Sequence, residues 1–187
     1  MADPYASGVL TPEHHERLVA DLPAFARDAG IQPRWISMAL ADTCGPAEVE
    51  YARKFRHHLA DVAVQGLCYV RTSKDVDVAR RMAALAGALV RNFVRARVMT
   101  VGTVLDAMAH GEPPEATCLL IPNFFLPKSE GGTIASWQVN ALFDLLSQRG
   151  AAGSQTVIYA ANVAALNKEY GTAFGALVRN SFQVVEL

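Results

Sequence analysis

The 187-residue sequence lacks the features that mark several classes of protein. It has three cysteines, Cys44, Cys68 and Cys118, and this odd, widely spaced set excludes a disulfide framework and a Cys-x-x-Cys metal site. No segment reaches the roughly 18 apolar residues that a membrane span requires, and the first residues have no basic stretch followed by an apolar run. We therefore expect a protein of the reducing cytoplasm that contacts no membrane and holds no metal.

The net charge of the chain is also small. Seventeen basic and eighteen acidic residues give a formal charge of -1, so no overall field attracts nucleic acid, and any such contact has to be local. The 51% of hydrophobic residues suffices for one domain with a full core. Ahead of it we predict a short arm whose first helix begins at Pro12, after a Thr11 cap.

Beyond Gln65, short apolar runs alternate with helical periodicity. This alternation predicts an α/β fold, with a parallel sheet of about five strands and helices on both faces. Because proline cannot donate to a central ladder, the third strand is expected to end near Pro122. Ligands of such sheets lie beyond the carboxyl ends of the strands. The predicted strands span 67–70, 97–101, 117–122, 155–161 and 182–187, with helices over 75–93, 103–109, 134–149, 163–170 and 173–179.

The turn after the first strand, VRTSKDVD, has no glycine. A P-loop at this place follows G-x-x-x-x-G-K-[ST], in which backbone amides and a lysine surround phosphates. Asp75 and Asp77 would instead repel a phosphate. An alternative is that this turn binds another small anion in an enzyme, through its polar side chains Arg71, Thr72, Ser73 and Lys74.

Several segments, in order and spacing, resemble one family. AGIQPRW, GLCYV, CLLIPNFFLPK, TVIYAAN and FGALVRNSFQVVEL together resemble the AAA+ ATPase domain of the DnaC/IstB type, which includes bacterial helicase loaders and transposase-helper ATPases. The resemblance covers residues 29–187 and leaves 1–28 as the N-terminal arm. It implies a P-loop NTPase-like, RecA-type fold and a role in DNA replication or mobile-element biology.

On this resemblance, the family's P-loop residues are replaced. Its first glycine falls on Val70, its second on Asp75, its lysine on Val76 and its magnesium-binding Ser/Thr on Asp77. Phosphoryl transfer depends on these groups for positioning and charge neutralisation. The resemblance therefore implies a protein that binds no nucleotide cofactor.

The second nucleotide motif, Walker B, is replaced as well. Its two acids fall on Pro122 and Asn123, which supply neither a metal ligand nor a base. Asn162 matches a polar sensor, and Arg179 matches the arginine that family members insert into a neighbour's ATP site. The resemblance thus implies a pseudo-ATPase whose partner is a protein, either a replicative helicase, a loader or a related AAA+ ATPase, with a homo-oligomer as a further possibility.

Some of these residues have simpler interpretations. Asn162 also suits a helix cap, and Arg179 suits a cation at a helix end. Arg80, Arg91 and Arg95 fall within about 60° on a helical wheel. Such a stripe either contacts nucleic acid or an acidic partner, in an ATP-independent DNA-binding helper, or is a solvated helix face.

Overall fold

A five-stranded, entirely parallel sheet forms the centre of the computed structural model, which describes residues 11–61, 63–72, 76–132 and 134–187. The strand order is β2-β3-β4-β1-β5. The strands are β1 (Gly66–Val70), β2 (Ala96–Val98), β3 (Cys118–Phe125), β4 (Gln155–Ala160) and β5 (Phe182–Glu186). The predicted α/β sheet is therefore confirmed.

Helices cover both faces of this sheet, as the alternating pattern predicts. One buried cluster includes Tyr69 of β1 and Leu85 of α6 (Val78–Arg91), and the other includes Cys68 of β1 and Val178 of α10 (Thr172–Ser181). Successive β1 side chains thus enter different cores, which explains why the strand is apolar throughout. The helices are α1 (Pro12–Ala20), α2 (Leu22–Ala29), α3 (Arg34–Ser37), α4 (Pro46–Arg53), α5 (Phe55–Ala60), α6 (Val78–Arg91), α7 (Val101–Ala109), α8 (Ser136–Ala151), α9 (Val163–Tyr170) and α10 (Thr172–Ser181).

The N-terminal helices pack onto the main core. Ala26 and Ala29 of α2 are each 1% exposed and belong to the cluster on the α6 face. Gly30 ends α2 with a φ of 68°, and a Cβ there would lie 2.6 Å from the carbonyl oxygen of Val98 in the edge strand β2. Only glycine permits both this conformation and this approach, so α2 lies against the outer edge of β2.

Proline does not end β3 where expected. The strand continues to Phe125, and its register with β4 shifts between Ile121 and Phe125. This irregularity removes the need for an N–H at Pro122 while the ladder resumes at Phe125, paired with Ala160. The expectation that the strand ends near Pro122 is therefore wrong.

Helix α6 ends at Arg91, two residues before the predicted end, because Phe93 has a positive φ of 58°. The N–H groups of Phe93 and Val94 donate to the carbonyls of Val90 and Leu89, at 2.8 and 3.0 Å. This is the Schellman arrangement that closes a helix with a left-handed residue, a position usually held by glycine. Among the helices formed by the described residues, none is long and apolar enough to cross a bilayer.

Candidate functional site

The carboxyl end of β1 and the start of α6 form the place where a P-loop fold binds phosphate. Val70 is the last residue of β1, and Val76 and Asp77 immediately precede α6. Asp77 is the N-cap of this helix, and its carboxylate accepts the N–H of Arg80 at 2.9 Å. The chain's own anion thus holds a backbone N–H that a phosphate would otherwise use. Asp75, Ser73 and Lys74 lie outside the described residues.

Two polar side chains of the same turn bind other parts of the chain. The guanidinium of Arg71 lies 2.6 Å from a carboxylate oxygen of Glu130, in the segment between β3 and α8. This hydrogen bond raises the pKa of Arg71. The backbone N–H of Thr72 donates to the carbonyl of Leu187 at 2.6 Å, and the Thr72 hydroxyl donates to the same oxygen. Arg71 and Thr72 therefore stabilise the turn.

The second motif lies inside β3. Asn123, at a position that the resemblance assigns to a catalytic acid, accepts the N–H of Val101 through Oδ1 at 2.9 Å. Val101 is the first residue of α7, whose N-cap Thr100 accepts the N–H of Thr103 at 3.2 Å. Asn123 and Thr100 together satisfy the start of that helix. Pro122, in the place of the other acid, is half-buried and offers no side-chain ligand.

Aromatic side chains fill the space behind these positions. Phe124 and Phe125 are both fully buried, and Phe125 meets the ring of Tyr170 edge-on with 4.9 Å between centroids. Phe124 contacts the ring of Phe174 at 5.7 Å. Both phenylalanines therefore belong to the core between β3, α9 and α10, and they form no exposed apolar patch.

Asn162 follows the carboxyl end of the central strand β4, whereas Arg179 lies before the amino end of the edge strand β5. Asn162 caps α9 after β4, and its side chain accepts the N–H of Ala165 at 2.9 Å. Arg179 is exposed in the last turn of α10, which leads into β5 where Phe182 pairs with Gly66. Since β1 rises about 13 Å from Gly66 to Val70, Arg179 lies near the opposite end of this strand from the one that leads to α6. Within the described residues, no hydrogen bond or ion pair holds Arg179.

The three arginines of the predicted stripe do not share a helix face. Arg80 is exposed in the first turn of α6, whereas Arg95 lies beyond the helix and donates to the carbonyl of Glu115 at 3.1 Å. Arg91 donates to the carbonyls of Ile36 and Met38 at 3.3 and 3.0 Å. Burial lowers the pKa of Arg91. The stripe is a wrong prediction, because α6 ends before Arg95 and Arg91 stabilises the end of α3.

Sequence reasoning missed a buried ion pair beside the first strand. Glu48 is 1% exposed, and its carboxylate lies 3.0 Å from Nε of Arg81 while also accepting the N–H of Gly45 at 3.0 Å. Gly45 precedes α4, and Glu48 is the third residue of that helix. This spacing predicts the contact between Glu48 and the Gly45 N–H, but it does not predict the ion pair between Glu48 and Arg81.

In the described part of the chain, no group of three or more His, Cys, Asp or Glu is placed to bind a metal.

Comparisons with known proteins give a fold and no family. No family model matches, and no curated protein matches. A replication initiator DnaA bound to AMPPCP and single-stranded DNA has a TM-score of 0.56 at 10% identity, over 83% of this chain and 50% of that one. A DNA replication initiation factor has a TM-score of 0.54 at 10% identity, over 80% and 49%.

A third similar structure is domain III of the Thermotoga maritima replication initiation protein DnaA. It has a TM-score of 0.51 at 15% identity, over 78% of this chain and 64% of that one. This chain therefore spans between about half and just under two thirds of these structures. The likeness to these structures is one of fold, an α/β arrangement with a five-stranded parallel sheet and helices on both faces.

Proposed function

We propose that this protein is a helicase-loader-like AAA+ protein without ATPase activity, which acts by binding a protein partner. The observation that carries the proposal is the cap formed by Asp77. Its carboxylate accepts the Arg80 N–H at the start of α6, where a P-loop protein directs its N–H groups at phosphate. A nucleotide at this place would meet a negative charge and an amide that is already bonded.

The second motif supports the same proposal. Hydrolysis needs a carboxylate that holds magnesium and a group that orients the attacking water. The corresponding β3 residues are Pro122 and Asn123, and the Asn123 oxygen already bonds the Val101 N–H. Val76, in the place of the lysine, has an apolar side chain that cannot neutralise the charge that develops on the transferred phosphoryl group.

The partner we propose is a replicative helicase, a loader or a related AAA+ ATPase, in DNA replication or mobile-element biology. Two of the similar structures are named as replication proteins, and a third is a replication initiator bound to a nucleotide analogue and DNA. The exposed Arg179 is the residue we assign to a neighbour's ATP site, because it lies near the amino end of β1, at the opposite end of that strand from the start of α6. Such an arginine acts in trans and needs no nucleotide on its own subunit.

Titration calorimetry and thermal unfolding with magnesium and ATP test the loss of nucleotide binding. We expect no binding heat and no rise in Tm, whereas a ligand at 100 times its Kd stabilises by about 2.7 kcal/mol. Asp77→Asn is a matched variant, since asparagine keeps the cap and removes the charge. Magnesium-dependent ATP binding by the wild-type protein at micromolar concentration would contradict the proposal.

Affinity capture with the helicase and AAA+ ATPases of the same cell tests the partner. Arg179→Ala is compared with Arg27→Ala, because both arginines are exposed in the last turn of a helix. We expect both variants to bind the partner and only Arg179→Ala to lower its ATPase rate, where a trans arginine contributes about 10³-fold or more. Equal rates with both variants would show that Arg179 is only a helix-end cation.

A further inference from the structure

The two edges of the sheet differ in whether another element covers them. Helix α2 lies against the outer edge of β2, where Gly30 approaches the Val98 carbonyl. At the other edge, β5 pairs only with β1 among the described residues. A parallel sheet edge with unpaired N–H and C=O groups is a template for another strand.

The outward-facing groups of β5 follow from its pairing with β1. The Ser181 carbonyl accepts the N–H of Gln65, and Leu187 bonds both Val70 and Thr72. Odd-numbered residues of β5 therefore direct their backbone toward β1, and even-numbered residues direct theirs outward. The Phe182 N–H still closes α10 by donating to Val178. This leaves an outward row consisting of the Phe182 carbonyl and both backbone groups of Val184 and Glu186.

The side chains along this edge favour pairing. Val184 is 47% exposed although it lies on the same face as Phe182, which is 6% exposed and packs against α10. The strand, FQVVE, contains neither the lysine nor the proline that proteins place on edges to prevent association. Valine and phenylalanine are among the residues that stabilise strand pairs.

We propose that β5 pairs antiparallel with β5 of a second copy of this chain, about a two-fold axis at Val184. In this register Val184 faces Val184 of the second copy, and each Glu186 N–H donates to the Phe182 carbonyl opposite. The pairing forms about four main-chain hydrogen bonds and joins the two sheets into one. The two exposed valine side chains cover each other.

Charge supports a second copy as the occupant. Arg179 is exposed one helical turn before Phe182, on the face that α10 covers, and Glu186 projects from that same face at the far end of β5. Antiparallel pairing sets Phe182 opposite Glu186 of the second copy and so brings that carboxylate toward Arg179. The two-fold axis forms this contact twice and keeps the two Glu186 side chains apart.

Apart from the Glu186 carbonyl, whose counterpart on Phe182 is bonded to Val178, the outward row is also symmetric about its own centre. A copy of β5 offers a carbonyl where the edge offers the Glu186 N–H, and an N–H where it offers the Phe182 carbonyl, over the same five residues. An unrelated strand supplies the hydrogen bonds but not the matching Arg179 and Glu186. The dimer covers the arginine that we assign to a partner ATPase, so the two contacts exclude each other.

Sedimentation velocity of the full chain over a concentration series tests this pairing. A contact of this size predicts a reversible dimer with a Kd in about the micromolar to millimolar range. Val184→Lys is expected to leave only monomer. Val19→Lys, which places the same charge on another valine that is 58% exposed, is expected to dimerise like the wild type. A wild type that stays monomeric at about 1 mM overturns the proposal, as does a Val184→Lys protein that still dimerises.

A charge exchange and amide hydrogen exchange add independent readouts. Arg179→Glu is expected to weaken the dimer about tenfold, and Arg179→Glu with Glu186→Arg to restore it. The Val184 and Glu186 amides should gain protection as concentration rises, while the Gln183 and Val185 amides, bonded to β1, stay protected throughout. Unchanged exchange at Val184 shows that self-pairing is wrong. The same conclusion follows if the wild type is monomeric and the Val184→Lys variant no longer captures a different protein that the wild type binds.

Discussion

The end of α6 provides a sharp test of stored backbone strain. Phe93 adopts a left-handed φ of 58°, which costs a residue with a Cβ about 1–2 kcal/mol. Its ring meets Phe25 edge-on with 6.1 Å between centroids, and it contacts His14 at 5.1 Å. We expect these contacts with α1 and α2 to offset the strain, which is why a phenylalanine stands where glycine is usual.

Helix α7 supplies the matched control. It ends in the same arrangement, with the Glu112 N–H donating to Ala107 and the Gly111 N–H to Met108, but its left-handed residue is Gly111 at a φ of 75°. A Cβ on Gly111 would meet nothing within 4 Å, so Gly111→Ala measures the cost of the conformation alone. We expect that cost to be about 1 kcal/mol.

Phe93→Ala and Phe93→Gly both remove the ring, and they differ in whether a Cβ remains in the left-handed conformation. Loss of the half-buried ring is expected to cost about 2 kcal/mol in each variant. Phe93→Gly should then be more stable than Phe93→Ala by the Gly111→Ala cost, the reverse of the usual helix preference. Urea unfolding followed by circular dichroism measures all three variants. An alanine variant at least as stable as the glycine variant, with Gly111→Ala showing its cost, would refute the reasoning.

Three further predictions concern the cap of α6, the half-buried Arg91 and the buried thiols. Asp77→Ala should lower the free energy of unfolding by about 1 kcal/mol and Asp77→Asn by much less, because only asparagine still caps α6; thermal unfolding compares them. Arg91→Met should cost about 1–2 kcal/mol through its two lost carbonyl bonds, and Arg80→Met close to nothing, in the same assay. Burial raises the pKa of each thiol to about 12, in Cys44, Cys68 and Cys118. Iodoacetamide at pH 8 should therefore label none of these thiols before urea unfolds the chain and all of them afterwards. Mass spectrometry counts the labels.

The sheet was predictable because its signals are local. Continuous apolar runs between helical periods identify strands that are buried on both faces, and the structure has β1 at Gly66–Val70 and β4 at Gln155–Ala160, close to the predicted ranges. The prediction that β3 ends near Pro122 was wrong because the effect of a proline in a strand depends on the neighbouring strand. The shifted register between β3 and β4 removes the hydrogen bond that proline would have broken, and the sequence of β3 alone does not show this.

The arginine stripe failed for a conformational reason. A helical wheel assumes that the helix continues, but the left-handed Phe93 stops α6 before Arg95. Periodicity did not signal this stop, because phenylalanine is rarely found at a left-handed helix end. Arg91 then bonds carbonyls of Ile36 and Met38, more than fifty residues away in the chain. The direction of a charged side chain therefore depended on tertiary contacts that the local pattern does not contain.

Side chains of this chain satisfy the starts of two helices that follow strands of the sheet. A helix that begins at a phosphate site leaves N–H groups that some acceptor has to satisfy. Asp77 supplies that acceptor for α6, and Asn123 supplies it for α7 from within β3. Both side chains stand at positions where the resemblance implies catalytic residues, and both now bond the backbone of their own chain. Both helix starts are thus satisfied within the chain, as the proposed loss of nucleotide binding requires.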